Sequence, residues 1–174
     1  RIMLLSPFLL GLSNLFSTMD QIHTAADVRA DQYGIRTFIN VMGAVIKFEI
    51  VLEARIHFDQ VKEVDPIFKV PSLTVSDLIA SKLLANSDRW GDASVYSRDL
   101  IDLAMMDFDK SAWVTAFEKA SGAYGDAIKN DLMKAYQAFL NQPIHVQRCC
   151  KNLKIEKSPA LLIDRVRRLK RYFT

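Results

Sequence analysis

The sequence predicts an α+β chain, a small and mostly antiparallel sheet followed by a C-terminal helical bundle. Three observations carry that reading. Residues 35–60 read as strands, with β-branched and aromatic side chains over Thr37–Met42 and period-two alternation over Val45–Val51. Beyond Asp65-Pro66 the apolar residues shift to helical spacing and keep it. The links between the expected strands are too short for parallel crossovers. The sheet region is placed at residues 1–74, with 1–34 poorly defined, and the helical region at 75–174.

Thr37-Phe-Ile-Asn-Val-Met42 reads as a strand, and Gly43-Ala44 supplies a tight turn. In the next strand, Val45–Val51, Ile46, Phe48 and Ile50 point one way, and Val45, Lys47, Glu49 and Val51 the other. Arg55-Ile-His-Phe-Asp59 is expected to be a third, shorter strand. Val70 should be extended, because a residue before proline avoids the helical region. Ser76 is the expected cap of a helix over Asp77–Asn86. A second helix is expected over Val95–Met106, capped near Ser94 or Ser97. Helices follow at Ser111–Ser121, with Gly122 as the stop, then Tyr124–Asn141 and Ile144–Leu153. The last, Pro159–Tyr172, has Ser158 as cap and Pro159 in its first turn.

Bulk properties set the class. With 50% hydrophobic and 25% charged residues over 174 positions, disorder is excluded and a self-sufficient core is expected. Adjacent Cys149 and Cys150 have no metal-type spacing and suit a reducing compartment. The apolar opening Arg1–Leu12 lacks a basic lead-in and a cleavage site, and is too short to span a bilayer. A cytoplasmic protein without membrane contact is therefore expected. The net charge of +3 is concentrated in Arg165-Val-Arg-Arg-Leu-Lys-Arg171. Such a run suits either a solvated helix end or nucleic-acid phosphates.

The residues that could carry chemistry are charges set among apolar neighbours. Lys82 lies in an otherwise apolar helix, where its stem could snorkel or its ammonium could serve a ligand. Asp99 and Asp102 are three apart and share a helical face beside Arg98. Together with Lys82 they make a charged seam, and charges in such places must pair or meet a ligand. A triphosphate suits the two cations, with Asp99 orienting the lysine. Glu49, in mid-strand, could bind Mg²⁺ or simply face solvent, and Glu53 is a weaker second carboxylate. His23, His57 and His145 are scattered and read as structural. Neither a Ser-His-Asp nor a Cys-His constellation is legible, and there is no Gly-rich phosphate loop.

Ile35-Arg-Thr-Phe-Ile, Ile46-Lys-Phe-Glu-Ile-Val, the helix with Lys82-Leu-Leu-Ala85, and Ser97-Arg-Asp-Leu-Ile-Asp-Leu103 together resemble the nucleotidyltransferase AbiEii/AbiGii toxin family. The specific part is the Lys-Leu-Leu-Ala helix followed by Arg-Asp-Leu-x-Asp-Leu, and the resemblance is best over residues 28–106. It implies a polymerase-β-type nucleotidyltransferase fold with a helical C-terminal part. It further implies Mg²⁺-dependent transfer from a nucleoside triphosphate, tRNA as acceptor, and an antitoxin partner. By position Lys82 would hold the triphosphate, Asp99 would complete the active site with Arg98 and Asp102 as neighbours, and Glu49 would be the strand carboxylate. The family's opening Gly-Ser turn and Asp-x-Asp are not matched, since this chain offers only Gly11-Leu-Ser13 and an isolated Asp20 or Asp27. Two readings stay open. One is an active transferase, the other an inactive or truncated relative that binds nucleotide, RNA or an antitoxin. A sheet lacking its first strand would also expose an edge, for which a homodimer is one remedy.

Overall fold

The computed structural model describes residues 22–59 and 72–174. The expectations for Arg1–Leu12, Asp20 and Val70-Pro71 fall outside them. The chain divides into two compact units, Arg1–Ala54 and Arg55–Thr174.

The first unit carries an antiparallel sheet of four strands, β1 (Ile22–Thr24), β2 (Arg29–Asp31), β3 (Gly34–Val41) and β4 (Ala44–Val51). β3 is central. β4 pairs along its whole length, from Gly34 opposite Val51 to Val41 opposite Ala44. β1 and β2 share its other edge, β1 against Ile39–Val41 and β2 against Gly34–Arg36. The β3–β4 turn is centred on Met42 and Gly43, with φ of 52° and 84°. Positive φ at both positions matches the twist of the flanking strands. The Gly43 amide donates to Asn40 Oδ1 at 2.9 Å, which closes the turn. At Gly34 a Cβ would collide with the Ile50 carbonyl, so the β3–β4 pairing requires glycine there. The poorly defined stretch before Gly34 thus contributes two short strands.

The second unit holds six α-helices among the described residues, and with the strands of the first unit the chain is α+β, as predicted. They are α1 (Val75–Arg89), α2 (Arg98–Met105), α3 (Lys110–Tyr124), α4 (Ala127–Leu140), α5 (Pro143–Asn152) and α6 (Pro159–Leu169). One core joins them, with Leu83 and Leu84 of α1, Leu103 of α2, Trp113 of α3, Leu132 of α4 and Val166 of α6 all buried. None of the helices among the described residues is long and apolar enough to cross a membrane.

Several expected boundaries shift for local reasons. α1 begins after Thr74 rather than Ser76, because the Thr74 hydroxyl accepts from the Asp77 amide at 3.2 Å. Residues Ala93–Val95 form a 3-10 turn capped by Asp92, and Tyr96 and Ser97 follow with left-handed backbone, so α2 starts only at Arg98. Gly122 does not stop α3. The helix runs on to Gly125, whose φ of 59° lets its amide return to the Ser121 carbonyl at 2.7 Å. Ser158 caps α6 as expected, accepting from the Leu161 amide at 3.3 Å.

Arg55–Asp59 is not a strand. It is a strap on the helical unit, with Arg55 donating to Asp88 at 2.5 Å and to Tyr124 at 3.0 Å. At its other end, the Asp59 amide donates to Asp77 Oδ2 at 2.9 Å. Ile56, between them, packs against the helical core.

Asp77 is fully buried in the first turn of α1. Lys119 of α3 reaches its Oδ1 at 2.6 Å, and the same ammonium lies 2.7 Å from Asp59. Burial pushes the Asp77 carboxyl up, but hydrogen bonds from Lys119, Thr74 and the Asp59 amide reverse this and hold it below 3.8. Replacing Asp77→Ala should lower the unfolding free energy by roughly 3–5 kcal/mol, the cost of breaking a buried pair. A shifted urea midpoint would register it, and the Asp59 amide should lose its protection from hydrogen exchange.

Candidate functional site

Lys82 and Arg89 are seven residues apart on α1, two helical turns, and so share a face. Asp99 and Asp102 are three apart on α2 and also share one. The two faces meet. Arg89 grips Asp99 with both arms of its guanidinium, Nε to Oδ2 at 2.6 Å and Nη2 to Oδ1 at 2.9 Å. Lys82 Nζ lies 3.5 Å from Asp99 Oδ1 and donates a short bond to Asp102 Oδ2.

The two carboxylates differ in character. The Asp99 side chain is only 3% exposed, whereas Lys82 and Asp102 are 27% and 36% exposed. Burial pushes the Asp99 carboxyl up, and the Arg89 hydrogen bond and charge, aided by Lys82 and Arg98, pull it below 3.8 instead. Asp99 is thus a permanent anion that fixes α2 on α1. Asp102 is an exchangeable partner, able to release Lys82 at little cost because water reaches both groups.

Three of the expected residues, Lys82, Asp99 and Asp102, are therefore brought together, and Arg98 adjoins them in sequence at the start of α2. Arg98 takes no hydrogen bond or ion pair among the described residues and is exposed, so it presents a free guanidinium. Arg89 was not anticipated, although its seven-residue spacing from Lys82 was the available signal. Glu49 belongs to the sheet unit. It faces Arg36 across β3, with Arg36 Nε at 3.4 Å and Lys47 Nζ at 3.0 Å, and Arg36 also reaches Asp31 at 2.9 Å. Its carboxylate is a member of a charged ladder across β2, β3 and β4.

A second grouping was not read from the sequence, although His145 and Cys149 are four apart on one helix. Ser97 Oγ lies 2.8 Å from His145 Nε2, and Cys149 Sγ lies 3.3 Å from the same nitrogen. Ser97 makes no capping bond to α2, its hydroxyl being engaged by α5. Burial, with help from Arg148, lowers the His145 pKa and favours neutral imidazole. Burial, then Cys150, pushes the Cys149 thiol up to about 11, so it stays protonated and unreactive. The cluster ties α5 to the turn before α2.

Among the described residues no group of three or more His, Cys, Asp or Glu is placed to hold a metal ion. Asp99, Asp102 and Glu49 are each engaged by cations.

Removing the guanidinium in Arg89→Ala should cost on the order of 3 kcal/mol, near the low end for a buried pair because Lys82 still faces Asp99. Denaturant unfolding measures this directly. The pH dependence has a definite sign. The stability that Asp99 contributes is present above 3.8 and lost as pH falls through its depressed folded value. Asp99→Asn should therefore flatten the acid limb of a plot of unfolding midpoint against pH.

Comparison with known proteins adds the family. The chain matches the model for the nucleotidyl transferase AbiEii toxin of a type IV toxin–antitoxin system over residues 9–159. No curated protein and no solved structure matches it. The match covers most of the chain, including both helices that build the seam around Asp99, and this protein belongs to the AbiEii nucleotidyl transferase toxin family.

Proposed function

We propose that the chain transfers a nucleotide from a nucleoside triphosphate to RNA, with tRNA as the acceptor, as the toxin of a pair whose antitoxin restrains it. The observation that carries this reading is the half-buried Lys82 ammonium, held by a carboxylate it can leave and flanked by the unpartnered Arg98. Family membership supplies the class of chemistry, nucleotidyl transfer by a toxin. The seam supplies a place for phosphate. Of its cations, Lys82 and Arg98 are the two not gripped by the buried Asp99, and an incoming polyanion meets them first. The phosphates displace Asp102 from Lys82, while Asp99, locked by Arg89, keeps the lysine stem in register. Asp99 acts as a positioning residue, because its oxygens are already occupied. Mg²⁺ is the cofactor the family implies, and when bound it would neutralise phosphate charge.

Labelled nucleotides offered to total tRNA with Mg²⁺ test the reading. The parent should transfer label, Lys82→Ala should fall to background, and Asp99→Asn should lose most of its rate while remaining folded. Absence of transfer from the parent would reject the enzyme reading.

A second reading, an RNA-binding module without transfer, is favoured by α6 and the turn after it. Arg165 and Arg171 both reach Asp107, at 3.4 and 2.7 Å, and Arg168 pairs with Asp164 at 2.9 Å. Arg167 and Lys170 are exposed and have no ion pair among the described residues. Five cations against two carboxylates leave a basic face. RNA held there through its phosphates should bind less tightly as salt rises, with about 0.7 ion released per contact on a single strand. A salt-independent affinity would remove this face from the RNA site.

A further inference from the structure

Beside the seam lies an open cleft of about 290 Å³ in which a nucleotide's base can be placed. Its apolar walls come from three elements, Ile101 and Met105 of α2, Leu153 and Ile155 at the end of α5, and Leu162 of α6. Arg98 and Asp102 form its charged rim. The α5 wall depends on a helix-ending turn. The Ile155 amide returns to the Cys150 carbonyl at 2.9 Å and Lys154 adopts a φ of 52°, which turns the chain back so that Leu153 and Ile155 both line the cleft.

We propose that this cleft binds the base of the nucleoside triphosphate whose phosphates lie on Lys82 and Arg98, an assignment that rests on the function proposed above. The volume lies near the lower limit for small-ligand sites, roughly 300 Å³, which suits a base with part of its sugar rather than a larger group. The lining matches an amphiphile of that kind, with an apolar floor for the ring faces and cations for the phosphates. Met105, 40% exposed, offers a polarisable thioether to an aromatic ring. Asp102 joins the two halves. Without ligand its Oδ2 receives Lys82, and once phosphate takes the lysine the carboxylate, which also lines the cleft, can accept from an exocyclic amino group. Bases that carry such a group, adenine, cytosine and guanine, are favoured over uracil.

Titration calorimetry in Mg²⁺ buffer with ATP, CTP, UTP and inorganic triphosphate separates the base from the phosphates. The parent should bind ATP and CTP more tightly than UTP, and UTP more tightly than inorganic triphosphate. Met105→Trp fills the cleft from an exposed position, and Ile155→Gln removes apolar wall without adding charge. Each should weaken ATP binding about tenfold, equivalent to roughly 1.4 kcal/mol, and leave inorganic triphosphate unchanged. Equal affinity of the parent for all four compounds, or ATP binding unaffected in both variants, would overturn the cleft assignment alone and leave that surface to an apolar protein partner. Loss of inorganic triphosphate binding in Lys82→Ala secures the phosphate site independently. If Lys82→Ala binds inorganic triphosphate like the parent, or if the parent binds none of the four, the phosphate reading fails and the base assignment falls with it.

Discussion

The Asp99 carboxylate, almost wholly out of water, cannot remain charged there without cations at bonding distance, and the packing of α1 on α2 is organised around supplying them. Arg89 meets the carboxylate with two parallel bonds, a geometry that sets both the separation and the rotation of the two helices. Lys82 is then the seam's second cation, and the carboxylate beside it on the solvent side is Asp102. One ion pair is buried and structural, the other only half-buried and open to water. The proposed phosphate site would use both kinds, the first for position and the second for a charge that a ligand can claim.

The same solution recurs at the opposite end of α1. Asp77 in the first turn is buried and neutralised by Lys119, as Asp99 is by Arg89 in the last turn. Between the two charged sites, Ile79, Leu83 and Leu84 bury the helix in the core. Acid near the start and base near the end also follow the helix dipole. Thus α1 is pinned at both ends by polar contacts of fixed geometry and held between them by contacts that have none. The strap Arg55–Asp59 attaches at both of its ends to this helical unit, which explains why the compact unit begins at Arg55.

Much of the helical unit was legible because helical spacing and caps are local. Ser158 and Pro159 marked the start of α6 correctly, and the paired Asp99 and Asp102 announced a charged face on α2. Boundaries failed where a distant residue intervened. Ser97 looked like a cap, yet its hydroxyl is engaged by His145, forty-eight positions away. Gly122 looked like a stop, yet Gly125 supplies the positive φ that ends α3. Arg55–Asp59 read as a short third strand, yet its amide and guanidinium are taken by Asp77, Asp88 and Tyr124.

The sequence by itself determined the α+β class, the central hairpin of Thr37–Val51, the order of the helices and the candidacy of Lys82, Asp99 and Asp102. Each follows from periodicity, turn chemistry or charge placed among apolar residues, and such signals need only a few neighbouring positions. The tertiary structure decided which cation owns which carboxylate. Arg89 rather than Arg98 grips Asp99, Lys82 shares Asp102, and Arg98 is left free at the rim of the cleft. Spacing within one helix says which residues share a face. It carries no information about what the facing helix brings to it, because that depends on a crossing geometry set by the whole core.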